Sequence, residues 1–227
     1  MNTRSLSSLV AATALAAGAP GAFAAGTPRT VTVQGQGIVT SVPTRAEFTF
    51  GVSANGSTAT SALAANARAM TKLLGALEAQ GVAAADVQTA AISLAPNRNP
   101  SGSRILNYTA SNSVTALIRS IAKAGPVIDA AVRAGATDVQ GPTLSVADSQ
   151  RLTRAALRAG IADARARATA LAAAAHLRLG RIVSVSEQGA STPLPFSAAD
   201  SAKAASTPVV AGTIQTEADL VVVFALD

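Results

Sequence analysis

Cysteine is absent from the 227 residues. No disulfide can staple the fold, no acylated cysteine can anchor the chain as a lipoprotein, and an oxidising compartment is tolerated. Tryptophan is also absent and aromatics make up only 3% of the chain, so Val, Leu, Ile and Ala must supply the core. The same scarcity removes the stacking platforms that single-stranded nucleic acid needs, and no nucleic-acid partner is expected. The only histidine is His176. A serine triad or a zinc site needs histidine in most designs, and this one falls near the end of a long predicted helix, where a protonated imidazole favours the helix dipole. No Gly-rich loop ending in Lys-Ser or Lys-Thr cradles phosphate. The sequence therefore predicts no catalytic residue, no metal site and no cofactor.

What is present begins with a leader. Arg4 gives a basic start, Leu6 to Ala17 is an uncharged apolar run, and Ala22-Phe23-Ala24 places small residues where a signal peptidase reads them. Thr13 interrupts the run and Gly18 and Pro20 end it, short of the roughly 20 apolar residues that cross a bilayer. The expectation is a signal peptide over 1–24, cleaved after Ala24, and a mature chain of 25–227 with no transmembrane segment, exported to the periplasm. That length buries a sizeable core as one domain or as two small lobes. The formal charge is +6, carried mainly by arginine, since only Lys72, Lys123 and Lys203 are lysine. Such usage beside abundant alanine is common in chains from GC-rich genomes; it permits attraction to acidic surfaces without demonstrating it.

Hydrophobic periodicity lays out the elements. Val31 and Val33, then Phe48, Phe50 and Val52, alternate at period two as strands broken at Pro43. Asn55-Gly56 reads as a turn. Ser57 or Thr58 caps a helix running to Gln80, with Leu63, Met70, Leu73, Leu74 and Leu77 on one face and Gly81 as its stop. Strands are predicted over 86–95 and 105–119, separated by a loop over 97–104. A short helix carrying Pro126 spans 121–134, and a strand lies near 139–146. Asp148 opens the longest helix, which ends near Leu179-Gly180. At about 100° per residue, Leu157, Ile161, Ala164, Ala168, Leu171 and Ala175 fall on one stripe, and Asp163 pairs with Arg167. Arg181 to Glu187 is a strand, and Gly189 to Val209 has no period and reads as a mobile loop. The last strand, 213–226, is apolar on both faces from Val221 to Phe224 and so belongs in the middle of a sheet.

Three features invite chemistry. Gly35-Gln36-Gly37 lacks the third glycine of a dinucleotide fingerprint, which would fall at Thr40, and no helix follows, so it reads as a tight turn between strands. Glu217 and Asp219 project to one side of the final strand and would be the carboxylate pair of a cofactor-independent enzyme, although a solvated strand face accounts for them. Asp129 and Asp163 read as caps or ion-pair partners. Arg151, Arg154, Arg158 and Arg165 form a basic stripe beside the apolar face of the longest helix and are the candidate contacts for lipid headgroups or another polyanion.

A series of short segments carries a resemblance: Val31 to Gly37, Gly51-Val52, Gly81-Val82 with Asp86 to Thr89, and Tyr108 to Asn112. It continues through Ile128 to Val132, Ala134 to Ala136, Ala162 to Arg165 with Ala168 and Leu171-Ala172, Leu179-Gly180, and Thr207 to Val209 with Gly212. In their order and spacing these resemble the SIMPL-domain family, which includes periplasmic immunogenic proteins of Gram-negative bacteria. The resemblance implies an α+β fold, a mixed and mainly antiparallel sheet with helices packed on its faces. It also implies a homo-oligomer in the envelope with a role in stress tolerance, and it transfers no catalytic residue. The sequence thus leads to a non-enzymatic, self-assembling periplasmic protein. A module binding anionic envelope components is the second expectation, and a carboxylate enzyme the third.

Overall fold

A computed structural model describes residues 29–196 and 207–227, along 189–196 by the backbone alone. The predicted signal peptide lies outside the described residues. Among the described residues ten main elements follow one another: β1 (Thr30–Ser41), β2 (Arg45–Gly56), α1 (Ala59–Ala79), β3 (Val87–Arg98), β4 (Ile105–Ile118), α2 (Ala124–Arg133), β5 (Asp138–Ser145), α3 (Ser149–Ala174), β6 (Leu179–Phe196) and β7 (Thr213–Leu226).

The strands divide into two sheets. One has the order β1-β7-β6 and the other β3-β4-β2-β5, and every pairing is antiparallel. The fold is therefore α+β with helices packed on antiparallel sheets, as the sequence led us to expect. Elements β2-α1-β3-β4-α2-β5 form a β-α-β-β-α-β unit with the strand order of the ferredoxin-like arrangement. Its even-numbered β2 residues Ala46, Phe48, Phe50 and Val52, with Val114, Ala116 and Ile118 of β4, meet Met70, Leu73, Leu77 and Val127 in one core. A second core joins Val33, Leu220, Val222 and Phe224 of the other sheet to Ala164 and Ala168 of α3. The chain passes between sheets at Val42-Pro43-Thr44, where a residue with no N–H interrupts both ladders at no cost. Strand β7, apolar on both faces near its end, is central in its sheet as its composition requires.

Local signals fix the helix ends. Thr58 and Ser61 exchange reciprocal side-chain to backbone bonds of 3.1 and 3.0 Å at the start of α1, and Asp148 accepts from the Arg151 N–H at 2.9 Å to start α3. All three helices close alike: the residue after the cap bonds back three positions and the next bonds back five, the Schellman geometry. Gly81 and Gly135 supply the positive φ for α1 and α2; in α3 that position is His176, at φ 59.

Several expectations change. Asn55-Gly56 ends β2 rather than turning the chain. Strand β3 runs on to Arg98, and β6 extends to Phe196, so the first part of the expected 189–209 loop is strand. There the backbone ladder to β7 continues through repeated register shifts, which erase any side-chain period. Residues 197–206, the middle of that loop, lie outside the described residues. The buried stripes of α1 and α3 are also rotated. On α1 it comprises Ala62, Asn66, Met70, Leu73 and Leu77, leaving Leu63 and Leu74 exposed, because the Asn66 amide donates to the carbonyls of Val52 and Ala110 at 3.0 Å each. On α3 it comprises Leu152, Ala156, Gly160, Ala164, Ala168 and Ala172. Leu157 and Ile161 flank it half-buried, while Leu171 is 51% exposed.

The phase of α3 explains Gly35-Gln36-Gly37, which is no turn. It sits inside continuous β1, paired without a break to β7, and both glycines face the helix. A Cβ on Gly35 would lie 2.2 Å from the Gly160 carbonyl oxygen, and one on Gly37 1.9 Å from that of Ala156. Neither glycine has positive φ; what they provide is space. The smallest side chains along α3 let its backbone approach the strand to near contact, and larger ones are displaced to the flanks.

Two consequences are measurable by chemical unfolding. Gly37→Ala should destabilise by about 1–3 kcal/mol, the usual cost of overpacking, and an unchanged midpoint would refute the close contact. His176→Gly should stabilise by about 0.5–1 kcal/mol by relieving a left-handed residue that carries a Cβ.

Candidate functional site

The lock between α3 and β1 decides which way the arginines point. Arg151, Arg154, Arg158 and Arg165 are all exposed, and among the described residues none of the four forms an ion pair. Arg165 differs from the other three, since its guanidinium carbon lies 5.9 Å from the centroid of the buried Phe224 ring, within cation–π reach. The predicted stripe is thus exposed along its length, with its fourth member also reaching over the Phe224 ring. An exposed guanidinium offers phosphate fork geometry and charge.

On the opposite flank of α3, Asp163 accepts from the Gln36 N–H at 3.0 Å and from Arg167 Nε at 2.9 Å. The ion pair expected from the sequence is present, and its larger partner is the edge of β1. The Gln36 amide, followed by Arg167, holds the Asp163 carboxyl below the ordinary carboxylate range. Asp86 behaves similarly. Arg119 donates to both of its oxygens at 2.7 Å and lowers its pKa, tying the short turn before β3 to the end of β4.

Glu217 and Asp219 lie on the face of β7 turned away from α3. They are not left as a free pair: the Gln36 side-chain amide donates to Glu217, and Gln36 itself is the cross-strand partner of Asp219. Beside them is an open cavity of about 350 Å³ lined by Gln34, Gln36, Arg167, Gln188 and Asp219. Among the described residues, amides and a charge-balanced pair of side chains line it, with neither a hydroxyl nucleophile nor an imidazole. His176 lies at the exposed end of α3, serving as the helix stop described above. Among the described residues no group of three or more His, Asp or Glu could hold a metal ion, and no helix is long and apolar enough to cross a membrane. Asp129 accepts from the Thr207 hydroxyl at 2.7 Å, a tether to the start of the final segment.

A family model described as SIMPL, a protein of unknown function (DUF541), matches residues 31–224, which takes in both sheets and all three helices. The chain belongs to the SIMPL family. Two relatives, each named 26 kDa periplasmic immunogenic protein, come from Brucella melitensis biotype 1 and Brucella abortus strain S19. Each is 32% identical over 169 residues, covering 70% of this chain and 67% of the relative.

The sequence reading missed one further surface of this SIMPL chain. Strand β3 is exposed from Gln88 to Arg98, with Ile92 at 66% and Leu94 at 41% exposure. The available signal was the uncharged stretch Thr89 to Ala95, where alternation fades.

Both lowered carboxyls make stability depend on acid. A carboxyl whose folded pKa lies below its unfolded value stabilises the fold above the unfolded value and loses that contribution as pH falls through the folded one. Stability should therefore fall below about pH 4, and Asp163→Asn should flatten that part of the curve. An Asp163→Asn profile parallel to the parent's would contradict the assignment.

Proposed function

We propose that this chain is a non-enzymatic periplasmic protein that works by associating with copies of itself and contributes to tolerance of envelope or oxidative stress. The observation that carries the reading is the set of bare aliphatic side chains on outer strands, Ile92 and Leu94 of β3 with Val183 and Val185 of β6. Exposed strand edges with apolar side chains are templates for another chain. The periplasmic placement is supported by the leader pattern in residues 1–24 and by the names of the Brucella relatives. The non-enzymatic part of the reading is supported by the family resemblance, which transfers no catalytic residue, and by the engagement of Glu217 with the Gln36 side-chain amide. The stress role rests on the family resemblance. Light scattering on the mature protein at micromolar concentration should give a mass above that of one chain, and a deletion strain should survive peroxide less well until the gene is restored. A monomer, together with unchanged survival, would retire the reading.

A second reading is favoured by the free arginines of α3: peripheral contact with an anionic envelope surface. Arg151, Arg154 and Arg158 would make the contact while Arg165 holds its place on Phe224. Binding to anionic lipid vesicles should be salt-sensitive and should be lost when the trio is replaced by Gln. Binding by that variant at the parent's level would remove the idea.

A further inference from the structure

Four strands form the outer edges of the two sheets. The β1 edge is met by α3 through the Gln36–Asp163 bond. Strand β5 carries Asp138 and Pro142, and β6 carries Arg181, Glu187 and four register shifts. Charges, prolines and irregular ladders are the usual protection of an edge. Between Thr89 and Ala95, β3 has no charged residue and no proline, and nothing among the described residues covers it.

This edge carries both a projection and a recess. Val87 and Thr89 lie across from Ala116 and Val114, and Ile92 and Leu94 across from Asn112 and Ala110. Ala110, Val114 and Ala116 are buried on the helix side of the sheet, so all four β3 residues point to that side; the register shift between Thr89 and Ala91 keeps them there. Ile92 and Leu94 stand bare. Beside Val87 and Thr89, an apolar groove of about 270 Å³ opens between β3 and α1, lined also by Met70, Leu74 and Val82, with Glu78 at its rim.

We propose, building on the self-association read above, that two copies pair antiparallel through β3 about Ala90–Ala91. In that register Ile92 of each copy lies across from Thr89 of the other and Leu94 across from Val87, so the aliphatic side chains of each copy seat on the groove of the other. The two four-stranded sheets join into one of eight strands, by the strand addition that exposed edges support. A second copy is the occupant for two reasons. The projection and the recess that receives it belong to one edge and are satisfied together by one two-fold axis, the self-complementarity of an isologous contact. The charges also agree: the pairing strands are neutral over Thr89–Ala95 although the chain is cationic, and the same register brings the second copy's Arg98 towards the groove end that Glu78 borders.

The register can be tested directly because the chain has no cysteine. The mature Thr89→Cys/Ile92→Cys variant should form intermolecular disulfide dimers under mild oxidation, since cross-strand neighbours fall within disulfide reach. Neither single variant should do so, because its two thiols would be about three residues apart along the strands. Ile92→Arg/Leu94→Arg, both at exposed sites, should lower the mass measured by light scattering at least twofold with an unchanged circular dichroism spectrum. An assembled parent whose mass survives these arginines, with no dimer from the double cysteine variant, would overturn the β3 interface and leave self-association standing. A monomeric parent would overturn both.

Discussion

The close approach of α3 to β1 is the constraint on which the β1-β7-β6 half of the molecule depends. Gly35 and Gly37 on the strand, with Ala156, Gly160 and Ala164 on the helix, leave no room for a single added carbon. Dispersion between atoms in contact is small per pair and large in sum, so this near-contact does the work that aromatic side chains do in other cores. The chain has few aromatics to use. The contact also carries its own polar seal, since the Gln36 N–H on the unpaired side of β1 finds the Asp163 carboxylate instead of water or another chain.

From that constraint the electrostatics of the surface follow. Once small residues claim the buried stripe of α3, the arginines at 151, 154 and 158 turn to solvent and Arg165 reaches back over Phe224. The carboxylates Glu217 and Asp219 are carried to the other side of the sheet and bonded or paired with Gln36. The exposed arginines at 151, 154 and 158 are thus kept apart from Glu217 and Asp219, while Arg167 on the other flank of α3 shares a cavity with Asp219.

Elements set by local chemistry were legible in the sequence. Thr58 and Asp148 as helix caps, Gly81 as a stop, and the central place of β7 each follow from one side chain or from a strand apolar on both faces. The rotational phase of the helices was not legible. Counting aliphatics on α1 selects Leu63 and Leu74, yet a buried Asn66 with two carbonyl partners outweighs them. On α3 the same count selects Leu171 over Ala172, because hydropathy does not register that the facing strand carries glycines. The Gly-Gln-Gly segment was misjudged for the same reason: glycine signals a turn when only conformation is considered and a close approach when its neighbour is known. Of the candidate site, the arginine positions were readable from spacing, whereas the bare β3 edge depends on which strand lies outermost, a property of topology alone.

Hydrogen–deuterium exchange tests the central constraint most directly. If α3 and β1 are locked together, the Gln36 amide and the α3 amides from Gly160 to Ala168 should exchange as one cooperative unit, as slowly as the buried strands β2 and β4. Exchange of Gln36 at the rate of an open strand edge, with α3 opening independently of it, would contradict the account.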